Sequence, residues 1–259
     1  VKALLSDGSE AVFNALGLDD FHAKCEGDTL EGSIYRKVRS ILSNYDNQEE
    51  IRKEFPKKTV ERRNTGYALD LLLDTAPFTA GGEAFNFCKL IAGSEGTLAF
   101  ITEIKLNIVP LPPKETGLLC VHFNSIDESL RANLIGLKYK PSASELIDHY
   151  ILECTKDNIE QRKNRFFVQG DPAAILVIEF CRETREEIIT ITQQVESDMR
   201  SAGLGYHFPV LFGADSKKIW TLRKAGLGLL SNLPGDAKAV PVIEDTAVDV
   251  NDLPAYIRD

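Results

Sequence analysis

The sequence predicts an α+β protein in two units, and three observations predict it. Short apolar runs of strand type at the start are followed by stretches of helical period and then by another strand-like run. Three prolines within four residues, Pro110, Pro112 and Pro113, interrupt the chain where the pattern changes. Beyond them the order strand, helix, strand, strand, helix, strand suggests a ferredoxin-like sheet with helices on one face. The boundaries are set at 1–112 and 113–259, with a helical excursion over 28–56.

In the first unit, Val1–Ser6 reads as a strand, Asp7-Gly8 as a turn and Ala11–Phe13 as the returning strand. Asp-Gly between two apolar runs is a hairpin signal. Asp28-Thr29-Leu30-Glu31 has capping-box character, and Ile34, Val38, Ile41 and Leu42 recur at helical spacing. Asn47-Gln48-Glu49-Glu50 opens a second short helix, which Pro56 ends. Arg36, Lys37 and Arg39 read as a solvated outer face, with partner binding as the weaker alternative. Residues 74–86 form a loop, in which Gly81-Gly82 lacks the context of a phosphate loop and reads as a flexible connection. Leu98–Ile104 is strand-like.

In the second unit, Gly117–Phe123 is a strand, and Ser125 caps a helix running to Leu137. Ala143–Asp148 is either a strand or a helix start. Ala174–Phe180 is a strand, Thr184 opens a long amphipathic helix to Ala202, and Gly203 and Gly205 close it. His207–Phe212 is a further short strand, and Tyr256–Asp259 is helix-like. Val242–Val248 reads as a strand, with Glu244 and Asp245 in structural roles rather than as an acid–base pair.

Composition bounds the function. The chain has 259 residues, 43% hydrophobic and 27% charged, as in a globular protein. A net charge of −9 argues against a nucleic-acid partner, which needs a basic face. The five cysteines are odd in number and scattered without a C-x-x-C pair, which suits reduced thiols in the cytoplasm and gives no structural zinc or iron–sulfur signature. Cys120 and Cys181 lie in apolar runs and read as core filler. No run of about 18 apolar residues supports a membrane span. His22, His122, His149 and His207 read as core or surface histidines, so no metal ligand is assigned.

The richest segment is Gly93-Ser94-Glu95-Gly96-Thr97, which leads into Leu98–Ile104. Two glycines three apart allow a sharp bend and a close approach to a ligand. Successive amides can form an anion-binding concavity, to which Ser94 and Thr97 add hydroxyls. On composition alone, an ordinary glycine turn entering a core strand is the preferred reading, because short Gly/Ser/Thr turns are common. Upstream stands Arg63-Asn64-Thr65-Gly66-Tyr67-Ala68-Leu69-Asp70.

The pair N-T-G-Y-x-L and G-S-E-G-T-L-x-x-I-T, in this order, resembles the FAD-linked oxidases of the vanillyl-alcohol oxidase and p-cresol methylhydroxylase superfamily, in the D-lactate and D-2-hydroxyglutarate dehydrogenase branch. Ala99-Phe100 departs from the family, which has Gly and an aliphatic residue there. The resemblance implies the second half of a flavin-binding domain followed by a substrate-binding cap domain. It implies FAD contacts by Asn64, Thr65, Gly66, Gly93, Ser94, Glu95, Gly96, Thr97 and Ile101. It also implies that Arg223, in Trp220-Thr221-Leu222-Arg223, and Lys238 hold the carboxylate of a small anionic 2-hydroxy acid. A hydroxylated family position four residues after the Arg is Leu227 here. The family's pyrophosphate-gripping loop precedes the first hairpin, and its metal ligands and base follow residue 259. The chain is therefore expected to be a piece of a longer enzyme, to hold FAD poorly by itself and to carry no catalytic base. The helical excursion resembles that of large members with a later iron–sulfur module, and the electron acceptor stays open. Two other readings remain: a relative acting on an alcohol or sugar lactone, and a non-catalytic α+β binding module.

Overall fold

The computed structural model describes residues 1–259 except 61, 64–65, 232–234 and 237–245. It is α+β, with two separate antiparallel sheets, and the main division of the chain falls between Val109 and Pro110.

The first unit begins with the hairpin β1 (Lys2–Leu4) and β2 (Glu10–Val12). Gly8 takes φ +84° in its turn, and the Asp7 carboxylate accepts from the Ser9 amide at 2.9 Å. Helices α1 (Leu18–Glu26), α2 (Leu30–Leu42) and α3 (Tyr45–Glu54) follow, then the short α4 (Leu69–Leu73) and α5 (Cys88–Ile91). Strand β3 (Phe100–Glu103) returns to pair with β1, giving the order β2-β1-β3. The core is aromatic: Phe21, Tyr35, Phe85 and Phe87 are buried, with ring centroids 4.7 Å apart for Phe21–Phe85 and 4.8 Å for Phe85–Phe87.

Several expectations need correction here. Helix α1 was not foreseen; its buried Phe21 and Cys25, four apart, are the signal for it. The capping box over 28–31 does not close. Thr29 is the cap and accepts from the Gly32 amide at 3.1 Å, while Glu31 pairs with Lys24 at 2.7 Å. Arg36 is not a solvated charge: it donates to the carbonyls of Cys25 (2.8 Å) and Gly27 (2.6 Å), the open end of α1. Helix α3 starts at Tyr45, capped by Asn44. Gly82 belongs to no loose connection, since a Cβ there would run into the backbone of 74–76.

The second unit contains β4 (Glu115–Phe123), α6 (Ile126–Leu137), β5 (Ala143–Asp148), α7 (His149–Lys156), a 3-10 turn at Arg162–Arg165, β6 (Ala174–Arg182), α8 (Arg185–Ser201), β7 (Val210–Phe212), α9 (Ala214–Ser231) and α10 (Leu253–Arg258). The strand order is β5-β6-β4-β7, antiparallel throughout, which is the ferredoxin-like arrangement. Ser125 caps α6, and Thr184 with Glu187 closes a capping box on α8.

Helices cover both sheet faces, not one. On one face Leu119, Val121, Phe123, Ile178 and Phe180 pack with Ile188, Val195 and Met199 of α8. On the other, Leu118, Cys120, Ile175 and Val177 pack with Leu152 of α7 and Ile219 and Leu222 of α9. The unbroken apolar run Leu118–Val121 carried that information, because a strand buried on both sides does not alternate. Helix α7, capped by Asp148 at the Ile151 amide (2.9 Å), was also missed. Cys120 is core, but Cys181 is half-buried and bonds Ser142 Oγ at 3.3 Å. Of the strand expected over 242–248, residues 242–245 lie outside the described residues and 246–248 carry no strand.

Among the described residues no helix is long and apolar enough to cross a membrane. His122, on β4, is wholly buried; its Nδ1 lies 3.1 Å from the Cys120 carbonyl, and its Nε2 accepts from the Gln169 amide at 3.3 Å. Burial pushes its imidazole down from 6.5 to about 4. The unfolded chain therefore binds the proton more readily than the folded one. The stabilisation is complete above pH 6.5 and drains as pH falls toward 4. Urea unfolding at pH 7 and pH 4.5 should show a fall roughly 2–3 kcal/mol larger than in His122→Gln. Equal falls in the two proteins would show that the ring is not shielded.

Candidate functional site

The turn after α5 is built by short-range hydrogen bonds. The Ser94 amide and hydroxyl both donate to the Ile91 carbonyl, at 3.1 and 2.9 Å. The Thr97 amide and hydroxyl both donate to the Ser94 carbonyl, at 2.9 and 2.6 Å. Glu95 and Gly96 take φ +49° and +77°, the left-handed region that glycine adopts without strain. Ser94 is buried. The hydroxyls of Ser94 and Thr97 are thus donors to the protein's own carbonyls, not spare donors in an anion cradle. The amides of Glu95 and Gly96 are different: both residues are exposed, and among the described residues neither amide has a partner.

Residues 66–67 lie against this turn. A Cβ on Gly93 would strike the Gly66 carbonyl oxygen, so this crossing requires glycine. The Tyr67 hydroxyl is 2.6 Å from Thr97 Oγ1. Arg63 and Asp70 form an ion pair that ties together the two ends of the upstream segment. Asn64 and Thr65 lie outside the described residues. Ile101 sits on β3 opposite Ala3, one-third exposed. Two open amides on a sharp bend, beside the exposed rings and chains of Tyr67 and Leu98, suit a planar heteroaromatic group with a polar edge, as FAD is.

In the second unit, α9 presents Ile219 and Leu222 to the sheet and buries Gly226. A Cβ on Gly226 would press on Ile151 of α7, at 3.0 Å from its Cδ1, so the two helices approach closely. Trp220 donates its indole N–H to Glu179 Oε2 at 3.1 Å. Arg223 is 38% exposed and donates through Nη2 to Glu145 Oε2 at 2.9 Å. Its Nε is buried and has no hydrogen-bond partner among the described residues. Lys238 lies outside the described residues. Neither Glu145 nor Glu179 was foreseen from the sequence, because only the β5–β6 register brings them to α9.

One group of three metal-type donors occurs among the described residues: His149, Glu153 and Asp171, with atoms within 4.8 Å of one another. Lys156 already pairs with both of its carboxylates.

Residues 112–259 match the family of FAD linked oxidases, C-terminal domain. The chain is 30% identical over 257 residues to the D-2-hydroxyglutarate dehydrogenase of Pseudomonas putida, covering 95% of this chain and 24% of that protein. It is 27% identical over 274 residues to the enzyme of that name from Escherichia coli, covering 100% of this chain and 25% of that one. With the Haemophilus influenzae protein it shares 31% over 222 residues, 81% of this chain and 20% of its relative. The chain spans about a quarter of the length of the curated relatives it matches.

The two glycines of the turn should respond differently to alanine. Gly96→Ala meets open space and should lose only the left-handed strain, about 1 kcal/mol. Gly93→Ala must push the Gly66 segment of the crossing away and should lose at least about 2 kcal/mol. Urea midpoints of the two variants check the order; a Gly93→Ala protein as stable as Gly96→Ala would contradict it.

Proposed function

Because residues 112–259 make this chain a member of the FAD linked oxidase C-terminal domain family, we propose that it supplies part of a flavin-dependent dehydrogenase that oxidises a D-2-hydroxy acid to the 2-keto acid. The observation that carries the reading is the reach of the similarity. It runs over 95% of the chain for one D-2-hydroxyglutarate dehydrogenase and over all of it for another, so it takes in both the 93–97 turn and Arg223.

FAD, when bound, supplies the hydride acceptor, and the protein's part is orientation and charge. The open amides of Glu95 and Gly96 donate to its polar edge. Gly93 lets the Gly66 segment close in, and the Tyr67–Thr97 contact fixes the two segments of that crossing. Asn64, Thr65, Gly66, Ser94, Thr97 and Ile101 complete the wall. Ser94 does so through the shape of its buried turn rather than through its hydroxyl. Arg223 holds the substrate carboxylate by its planar fork and Lys238 by a point charge, which keeps the α-C–H aimed in one direction. The five unpaired cysteines favour a reducing compartment such as the cytoplasm.

In the full-length protein that carries this chain, Arg223→Ala should lower kcat/KM for D-2-hydroxy acids by about 30- to 1000-fold, or roughly 2–4 kcal/mol, with the flavin absorbance unchanged. Stopped-flow reduction of the bound flavin by D-2-hydroxyglutarate and D-lactate measures it. Parent-like rates in the variant would refute the carboxylate role.

A further inference from the structure

Arg223 does not stand alone in its surroundings. Glu145, its partner at 2.9 Å, lies on β5 opposite Val177 of β6. Glu179 lies two residues further along β6, opposite Ala143, and accepts from Trp220 one turn before Arg223. Side chains two apart on a strand share a face. Here it is the α9 face, where Val177, Ile147 and Leu222 are buried together. Two carboxylates therefore meet α9 on this face, Glu145 at the guanidinium and Glu179 at the indole one turn earlier. One turn onward along the same side of α9, Leu227 is 70% exposed.

We propose that Glu145 determines specificity for the substrate held at Arg223, favouring 2-hydroxy monocarboxylates with an apolar side chain over 2-hydroxy dicarboxylates. This rests on the reading of Arg223 as the carboxylate-binding cation. Glu145 engages one N–H of the guanidinium, and the donors it leaves suffice for a single carboxylate. A second carboxylate on the same small molecule would meet Glu145, and like charges at close range oppose binding. Leu227 offers the substrate's side chain an apolar contact and no hydrogen bond. Discrimination built this way works by repulsion of the wrong ligand as much as by attraction of the right one.

The test uses the full-length, FAD-loaded protein and compares kcat/KM for D-2-hydroxyisocaproate, a monocarboxylate with an aliphatic side chain, against D-2-hydroxyglutarate. The parent should favour the monocarboxylate by at least about tenfold. Glu145→Gln should move the ratio by about tenfold or more toward the dicarboxylate, and Glu145→Asp should keep it within about threefold of the parent. Leu227→Thr, on an exposed helix surface where folding is not at stake, should lower the rate with the monocarboxylate alone. A parent that prefers the dicarboxylate overturns the proposal, as does a Glu145→Gln variant that loses both activities in equal measure, the mark of a merely structural partner. If both acids reduce the flavin at a ratio that Glu145→Gln leaves unmoved, the specificity role falls and the dehydrogenase reading stands. If neither acid reduces it, both fall together.

Discussion

A strand buried on both faces has to be covered twice, and β4 imposes that demand on everything after residue 115. Its residues from Gly117 to Phe123 are all buried, and Leu118 to Val121 alternate between two cores. Burying such side chains yields roughly 1.5–3 kcal/mol each, so neither face can be left to water. The α6/α8 layer meets one half of the demand. The other half falls to α7 and α9, and this is why a helix bearing Trp220 and Arg223 lies over β5 and β6 at all. The position of the guanidinium follows from the packing of Ile219 and Leu222 on its own helix. The carboxylates it meets follow from the sheet register.

The first unit answers to a different constraint, the close passage of one backbone over another. At Gly93 the Gly66 carbonyl occupies the space of a side chain, and at Gly32 the Gly27 carbonyl does the same. Both crossings bring a bend against a helix end. The hydroxyls nearby, those of Thr29, Ser94 and Thr97, are taken up in stabilising those ends, so polar residues that look available in the sequence are structural in the fold. What remains open at the turn is backbone, the amides of Glu95 and Gly96.

Where local chemistry decides, the sequence was legible. The Asp7-Gly8 hairpin, the Ser125 and Thr184 caps, the individual strands of the second unit and the turn at 93–97 all follow from residues within a few positions of one another. The misses share a cause. Helix α1 has only two buried side chains to mark its period. Arg36 looks like any charge on an amphipathic helix until the end of α1 lies within its reach. Cover on the second face of the sheet could have been read from the unbroken run in β4, but the β-α-β-β-α-β rhythm leaves α7 and α9 out of account. Glu145 carries no local sign of its partner, since 78 residues separate it from Arg223. Resemblance to the FAD-linked oxidases supplied the attention to Arg223 and Lys238 that spacing alone could not.

The pairing of β1 with β3 has a bearing on the order in which the first unit assembles. Lys2 faces Glu103 across the sheet, and they are 101 residues apart, whereas the α1–α2 corner closes through Arg36 over nine to eleven. Loop-closure entropy grows with the length of chain enclosed, and distant contacts form slowly. The helical corner is therefore a local, early unit, and β3 is the late arrival. During synthesis the edge of β1 that β3 takes lacks that partner until the chain has emerged past residue 100. Over that interval the hairpin waits for its third strand, and the stretch through Gly93–Thr97 that leads into β3 is what delivers it.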